Sequence, residues 1–196
     1  MNTKLLFTAL FVITTIGLSA QEAKYELKSA IIKKSVERFG QTSESVTYFD
    51  DYGKSEATTS SFTWEGNTMH MRNITKDDKS YMLNTDDKTY FNMNMRFDRV
   101  NFLNLTQEVK DKNKIKELGN ETVAGKPCKK YSYEITMMDR ASTVTVWIWK
   151  GIALKTVSSF GEWDSTEIAT EIQENAKVDA SLFVVPSDYS LREMQW

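Results

Sequence analysis

The feature that most constrains this chain is its punctuation. Polar turn clusters recur at intervals of roughly ten residues along almost the whole sequence. Asp50-Asp51-Tyr52-Gly53, Glu65-Gly66-Asn67, Asp77-Asp78-Lys79, Asp86-Asp87-Lys88, Gly125-Lys126-Pro127, Met138-Asp139-Arg140, Lys150-Gly151 and Gly161-Glu162-Trp163 are the clearest. Asp and Gly bend the backbone there, Gly by tolerating positive φ and Asp by bonding its own backbone. The intervals are rich in Val, Ile, Thr, Phe, Tyr and Trp, and they are too short for helices that could pack alone. The spacing predicts strands over 46–49, 57–64, 68–74, 80–84, 89–93, 115–122, 128–136, 142–149, 152–160 and 165–174. Strands joined by such short turns pair antiparallel. The segment 25–38 reads as a long strand with a bulge at the Ile31-Ile32 doublet, or as a short helix. Residues 178–185 are apolar and end at Pro186, and the tail beyond has Tyr189 and Leu191 to order it.

One strand stands out. In 144–149, Val144, Val146 and Ile148 point to one face, and Thr145, Trp147 and Trp149 to the other. Both faces carry large apolar groups, so the strand belongs at the centre of the sheet with apolar cover on each side. One stretch breaks the β pattern. Over 98–112, Val100, Phe102, Leu103, Leu105 and Val109 fall close to helical spacing. Asp98 suits an N-cap and Lys110 and Lys112 suit a C-terminal end, so one amphipathic helix is expected there.

The first 20 residues have another purpose. Lys4 precedes an apolar run from Leu5 to Ile16, and Gly17-Leu18-Ser19-Ala20 follows as a small-residue exit. This reads as a secretory signal peptide cut before Gln21, leaving one β domain over 21–196 in the periplasm. No cysteine follows the cleavage point to take a lipid anchor, and no later run is long enough to span a bilayer, so no stable membrane insertion is expected. Charge is nearly balanced, 25 basic against 27 acidic residues, with no basic block. That balance excludes a nucleic-acid partner. Cys128 is the only cysteine, so no internal disulfide forms, and it reads as a small buried strand residue.

The parts of most enzymes are missing. His70 is the single histidine, set between Met69 and Met71 and without a marked partner. One His and one Cys exclude the usual zinc and copper sites, so no metal site is expected. No serine sits in a nucleophile elbow, and no Gly-rich phosphate loop occurs. The paired aspartates lack the spaced array that calcium needs. No catalytic residue and no cofactor is therefore assigned. What the chain has in quantity is soft and aromatic: nine methionines and five tryptophans. Methionine adapts to irregular ligands, and a sheet roofed by one helix can offer an apolar pocket. The candidate groove residues are Trp64, Met69, Met71, Phe102, Leu105, Trp147 and Trp149.

Three segments carry a family resemblance. Gly119-Asn-Glu-Thr-Val-Ala-Gly-Lys-Pro-Cys-Lys-Lys-Tyr131 resembles the G-x-x-x-V-x-G-x-x-C/A-x-x-Y segment of exported Bacteroidetes proteins in the outer-membrane lipoprotein-sorting (LolA-like) fold group. Val146-Trp-Ile-Trp-Lys-Gly-Ile-Ala-Leu-Lys155 resembles their V-W-x-W-K-G-I-P-L-K hairpin, with Ala153 where proline is frequent. Leu182-Phe183-Val184-Val185-Pro186 and Tyr189 resemble their closing segment. The resemblance implies a strongly curved open antiparallel sheet, an unfinished barrel, with one or two helices over its concave face. It implies a soluble periplasmic binding protein or carrier for a lipid-like or lipoprotein acyl ligand, without catalysis. The alternative is an envelope interaction module or stress sensor that docks a protein partner through the same fold. An envelope hydrolase would need two buried carboxylates in an open cleft.

Overall fold

The structure, a computed structural model, describes residues 22–64, 66–93, 100–137, 140–159 and 164–193. The leader 1–20, Asp98 and the turn residues 138–139 and 161–163 lie outside the described residues. The strands are β1 (Ala30–Arg38), β2 (Gln41–Asp50), β3 (Ser55–Trp64), β4 (Asn67–Lys76), β5 (Lys79–Asn84), β6 (Thr89–Asn92), β7 (Lys116–Val123), β8 (Lys126–Met137), β9 (Arg140–Trp149), β10 (Ile152–Ser159), β11 (Ser165–Glu174) and β12 (Ser190–Leu191). Among the described residues, one short α-helix, α1 (Gln107–Lys112), lies between β6 and β7.

All twelve strands form one sheet in the order β12-β6-β5-β4-β3-β2-β1-β11-β10-β9-β8-β7. Two meanders, β2 to β6 and β7 to β11, are joined where β1 lies antiparallel between β2 and β11. The sheet does not close: β7 and β12 are its edges. The chain forms the mainly β open sheet that the family resemblance implies. Its one exception to antiparallel pairing is β12, which runs parallel to β6.

The turns show why spacing was informative. Asp77 and Asp78 have φ of 50° and 60°, Ala124 and Gly125 of 48° and 72°, and Lys150 and Gly151 of 51° and 82°. Positive φ at both central residues is the two-residue turn whose twist matches a hairpin. In β1 the register shift falls at Lys33/Lys34 against β11, two residues beyond the Ile31-Ile32 doublet.

Three clusters make the core. The first joins Leu27, Ala30, Ile32, Phe49, Trp147, Trp149, Ile152 and Leu154 under the N-terminal segment, with the Tyr25 ring tilted against Phe49 at 4.5 Å. Phe49, Ile32 and Leu154 are fully buried, each contributing about 1.5–3 kcal/mol. The second packs Val100, Phe102, Leu105 and Val109 against Tyr131, Val144, Val146 and Ile148. The third covers Ala57, Ile74 and Leu83 with Phe183, Leu182 and Tyr189 of the C-terminal segment. Strand β9 is therefore buried on both faces, as its sequence requires. Its Trp face is covered by the N-terminal segment, and the C-terminal segment covers β3 to β5.

The helix differs from expectation. It spans only 107–112 and is capped by Thr106, whose hydroxyl accepts from the Val109 N–H. Residues 100–106 form a strap without helical structure. Asn101 explains this: its side-chain oxygen accepts from the Leu103 N–H at 3.0 Å, and its carbonyl accepts from the Asn104 N–H. Such local bonds compete with the helical ladder.

Candidate functional site

The strap roofs a cleft of about 540 Å³ against β7, β8 and the β9–β10 turn. Phe102 and Leu103 come from the strap, Tyr131 from β8, and Ile148 and Trp149 from β9. Asn120, Glu121, Lys129, Lys150 and Glu26 bring polar groups to it. Polar and apolar groups share the lining about equally, and the volume is in the usual range for a small-molecule site.

Local bonds hold the roof in place. The Asn101 side-chain amide donates to the Ala23 carbonyl at 3.0 Å, tying the strap to the N-terminal segment. Asn104 donates to Glu22. The Glu26 N–H donates to the Lys150 carbonyl at 3.1 Å, tying that segment to the β9–β10 turn. Gly151 completes the junction. A β-carbon there would stand 2.3 Å from the Lys24 carbonyl oxygen and 2.9 Å from Leu103 Cγ. Phe102 meets the Tyr131 and Tyr133 rings at 5.5 and 6.2 Å. Burial raises the pKa of both tyrosines and of the Cys128 thiol. Cys128 is buried and its Sγ–H faces the Lys126 carbonyl, so it stays a neutral thiol.

The seven candidate residues fall into separate places. Phe102 and Trp149 line the cleft. Leu105 packs in the second cluster beside it. Trp147 is buried in the first cluster, under charged side chains rather than at the cleft. Met69 and Met71 pair with Phe62 and Ser60 of β3, with five strands between β4 and β9. Met69 is exposed and Met71 half-buried. The Trp64 side chain lies outside the described residues. Leu103, Lys129 and Lys150 join the site without having been singled out; the signal for Leu103 is the glycine it packs on.

Trp147 and Trp149 sit beneath a plate of charges. The Lys130 and Lys155 ammoniums lie 4.7 and 4.4 Å from the Trp147 ring centre, and Lys126 and Lys150 lie 4.8 and 4.7 Å from that of Trp149. These are cation–π distances. Glu121 accepts from Lys130 and from the Trp147 indole N–H, both at 2.7 Å. Glu174 accepts from Lys126 at 2.6 Å and Lys150 at 3.3 Å. Hydrogen bonds from Lys130 and Trp147 hold the Glu121 carboxyl below its usual pKa, and those from Lys126 and Lys150 do the same for Glu174.

His70 does have a partner. Its Nδ1 lies 2.9 Å from Asp86 Oδ1, and its backbone N–H donates to Asp86 Oδ2 at 2.8 Å. That pair is exposed and closes the β5–β6 turn onto β4. Among the described residues, no group of His, Cys, Asp and Glu is placed to hold a metal ion.

Residues 32–167 match a family described as a domain of unknown function, DUF4412. The chain belongs to this family. No curated protein matches the sequence. Among solved structures, MucB matches at a TM-score of 0.51 and 13% identity, over 85% of this chain and 60% of its own. This chain thus spans about three fifths of that protein. An uncharacterized conserved protein from Thermus thermophilus matches at a TM-score of 0.52 and 9% identity, over 85% of this chain and 91% of its own. A putative outer membrane lipoprotein-sorting protein domain from Vibrio parahaemolyticus matches at a TM-score of 0.42 and 9% identity, over 82% and 91%. At these identities the likeness to the first two is one of fold alone.

Proposed function

We propose that the protein is an exported binding protein or carrier for an amphiphile with an acyl chain, working without catalysis. The observation that carries this reading is the strap-roofed cleft lined by Phe102, Leu103, Tyr131, Ile148 and Trp149. An acyl chain needs apolar walls more than specific bonds, because each buried methylene contributes about 0.8 kcal/mol. Lys129 and Lys150 line the same cleft and offer charge to a polar head. The roof is a strap held by apolar packing of Val100, Phe102 and Leu105 and by side-chain bonds of Asn101 and Asn104 to the N-terminal segment, so it can lift without breaking sheet pairing. Binding fits the inventory of groups: the buried thiol is neutral and His70 is tied to Asp86 at a turn. The leader-like first 20 residues support work in the periplasm. Among the described residues, no helix is long and apolar enough to cross a membrane.

The alternative, docking of an envelope protein partner, has one observation in its favour. β7 is a free sheet edge of eight residues, all but Val123 exposed. An edge invites a partner strand. This one carries Lys116, Glu117 and Glu121 and a register shift at Glu117/Gly119, features that blunt pairing. The cleft therefore carries the stronger reading. A fluorescent fatty acid titrated into the protein tests it: binding is expected, weakened about tenfold by Phe102→Ala, which removes the ring that packs on Tyr131. Absence of binding to the unsubstituted protein contradicts it.

A further inference from the structure

The charged plate over Trp147 and Trp149 lies beside the cleft but has its own logic. Four ammoniums and two carboxylates leave two positive charges in excess on one face, although the whole chain is at −2. The arrangement is built by sheet register. Lys130 and Lys155 are the cross-strand neighbours of Trp147 on its two sides, one on β8 and one on β10. The register shift between Ala153 and Lys155 is what brings Lys155 level with Trp147. The lysines are laid flat on the indoles, and three of them keep a quarter to a third of their side chains exposed, Lys130 25%, Lys126 31% and Lys150 34%. Stems so placed are already ordered, so an incoming anion costs little further side-chain entropy.

We propose that this plate is the surface by which the protein meets an anionic lipid membrane. Ammoniums held over indoles present a flat, basic, aromatic-backed face, and phosphate-bearing headgroups are its charge complement. The contact is peripheral. Trp147 and Trp149 stay buried, and the lysines supply the attraction. An acidic leaflet offers many phosphates side by side, which suits four cations spread over two rings better than a single small anion does. Lys150, Glu121 and Trp149 belong to both plate and cleft, whereas Lys126, Lys130 and Lys155 do not line the cleft, and the test is placed on two of these.

The test is co-sedimentation with vesicles of phosphatidylcholine, alone or with phosphatidylglycerol. Binding is expected only to the anionic vesicles, falling as salt rises. Lys130→Gln with Lys155→Gln should weaken it about thirtyfold, at roughly one kcal/mol per lysine near such a surface. Glu174→Gln should tighten it about fivefold, with binding still confined to anionic vesicles and still weakened by salt, which exposed apolar surface would not give. Lys33→Gln, whose lysine pairs with Glu171 elsewhere, should leave it unchanged. Equal binding to neutral vesicles, unaltered binding by the double variant, or release by millimolar inorganic phosphate would each overturn the proposal. Fatty-acid binding measured on the same double variant keeps this outcome separate from that of the cleft.

Discussion

Glu121 and Glu174 show how single residues set the character of the Trp face. Each carboxylate is held ionised by the lysines it accepts from, and Glu121 also by the Trp147 indole. Their folded-state pKa values lie below the ordinary 4.5, so their contribution is complete above that value and is lost as pH falls through the lower one. Acid should therefore release the plate before it unfolds the sheet. Tryptophan emission should shift as pH falls below about 4.5, while far-ultraviolet circular dichroism holds. Coincident changes in both signals would contradict this. Much of this chemistry was hidden in the sequence. The Trp147/Trp149 alternation announces two large side chains on one face, but Lys130 and Lys155 read as ordinary strand lysines. Only the pairing of three strands, including the shift in β10, sets them over one ring.

At the scale of elements, local chemistry was legible and competition between local structures was not. Turn residues mark the hairpins because they need no distant partner: Asp77-Asp78 and Lys150-Gly151 adopt positive φ on their own account. The 98–112 pattern is apolar at helical spacing, yet Asn101 redirects the backbone and leaves a strap. The helical reading thus found Phe102 and missed Leu103, which faces the turn glycine. Gly151 is the hinge of that junction. Gly151→Ala should destabilise the protein by about 2 kcal/mol or more, because a left-handed φ of 82° and two close contacts oppose the new carbon. Urea unfolding measures it. Gly125→Ala, at φ of 72° with open space around it, should cost only about 1 kcal/mol. Equal costs would mean that the strap does not press on the turn.

Over the whole molecule, an open twelve-stranded sheet is covered in pieces: the N-terminal segment and the charged plate on the Trp face of β9, the strap and α1 on its Val face, and the C-terminal segment over β3 to β5. The sheet and its turns follow from pattern, since each hairpin is specified within about twenty residues. The assignment of covers does not follow from pattern: the 22–29 and 176–191 segments have little periodicity, the helical spacing of 98–112 does not say which face it covers, and all three find their places only by packing. The cleft sits where two covers meet, which makes it a product of the assembled fold. Native mass spectrometry of the protein purified from its own host, without detergent, tests its role most directly. One amphiphile of acyl-chain mass per protein, released on unfolding and lost with Phe102→Ala, is the result predicted. A bare protein that also takes up no added fatty acid would contradict it.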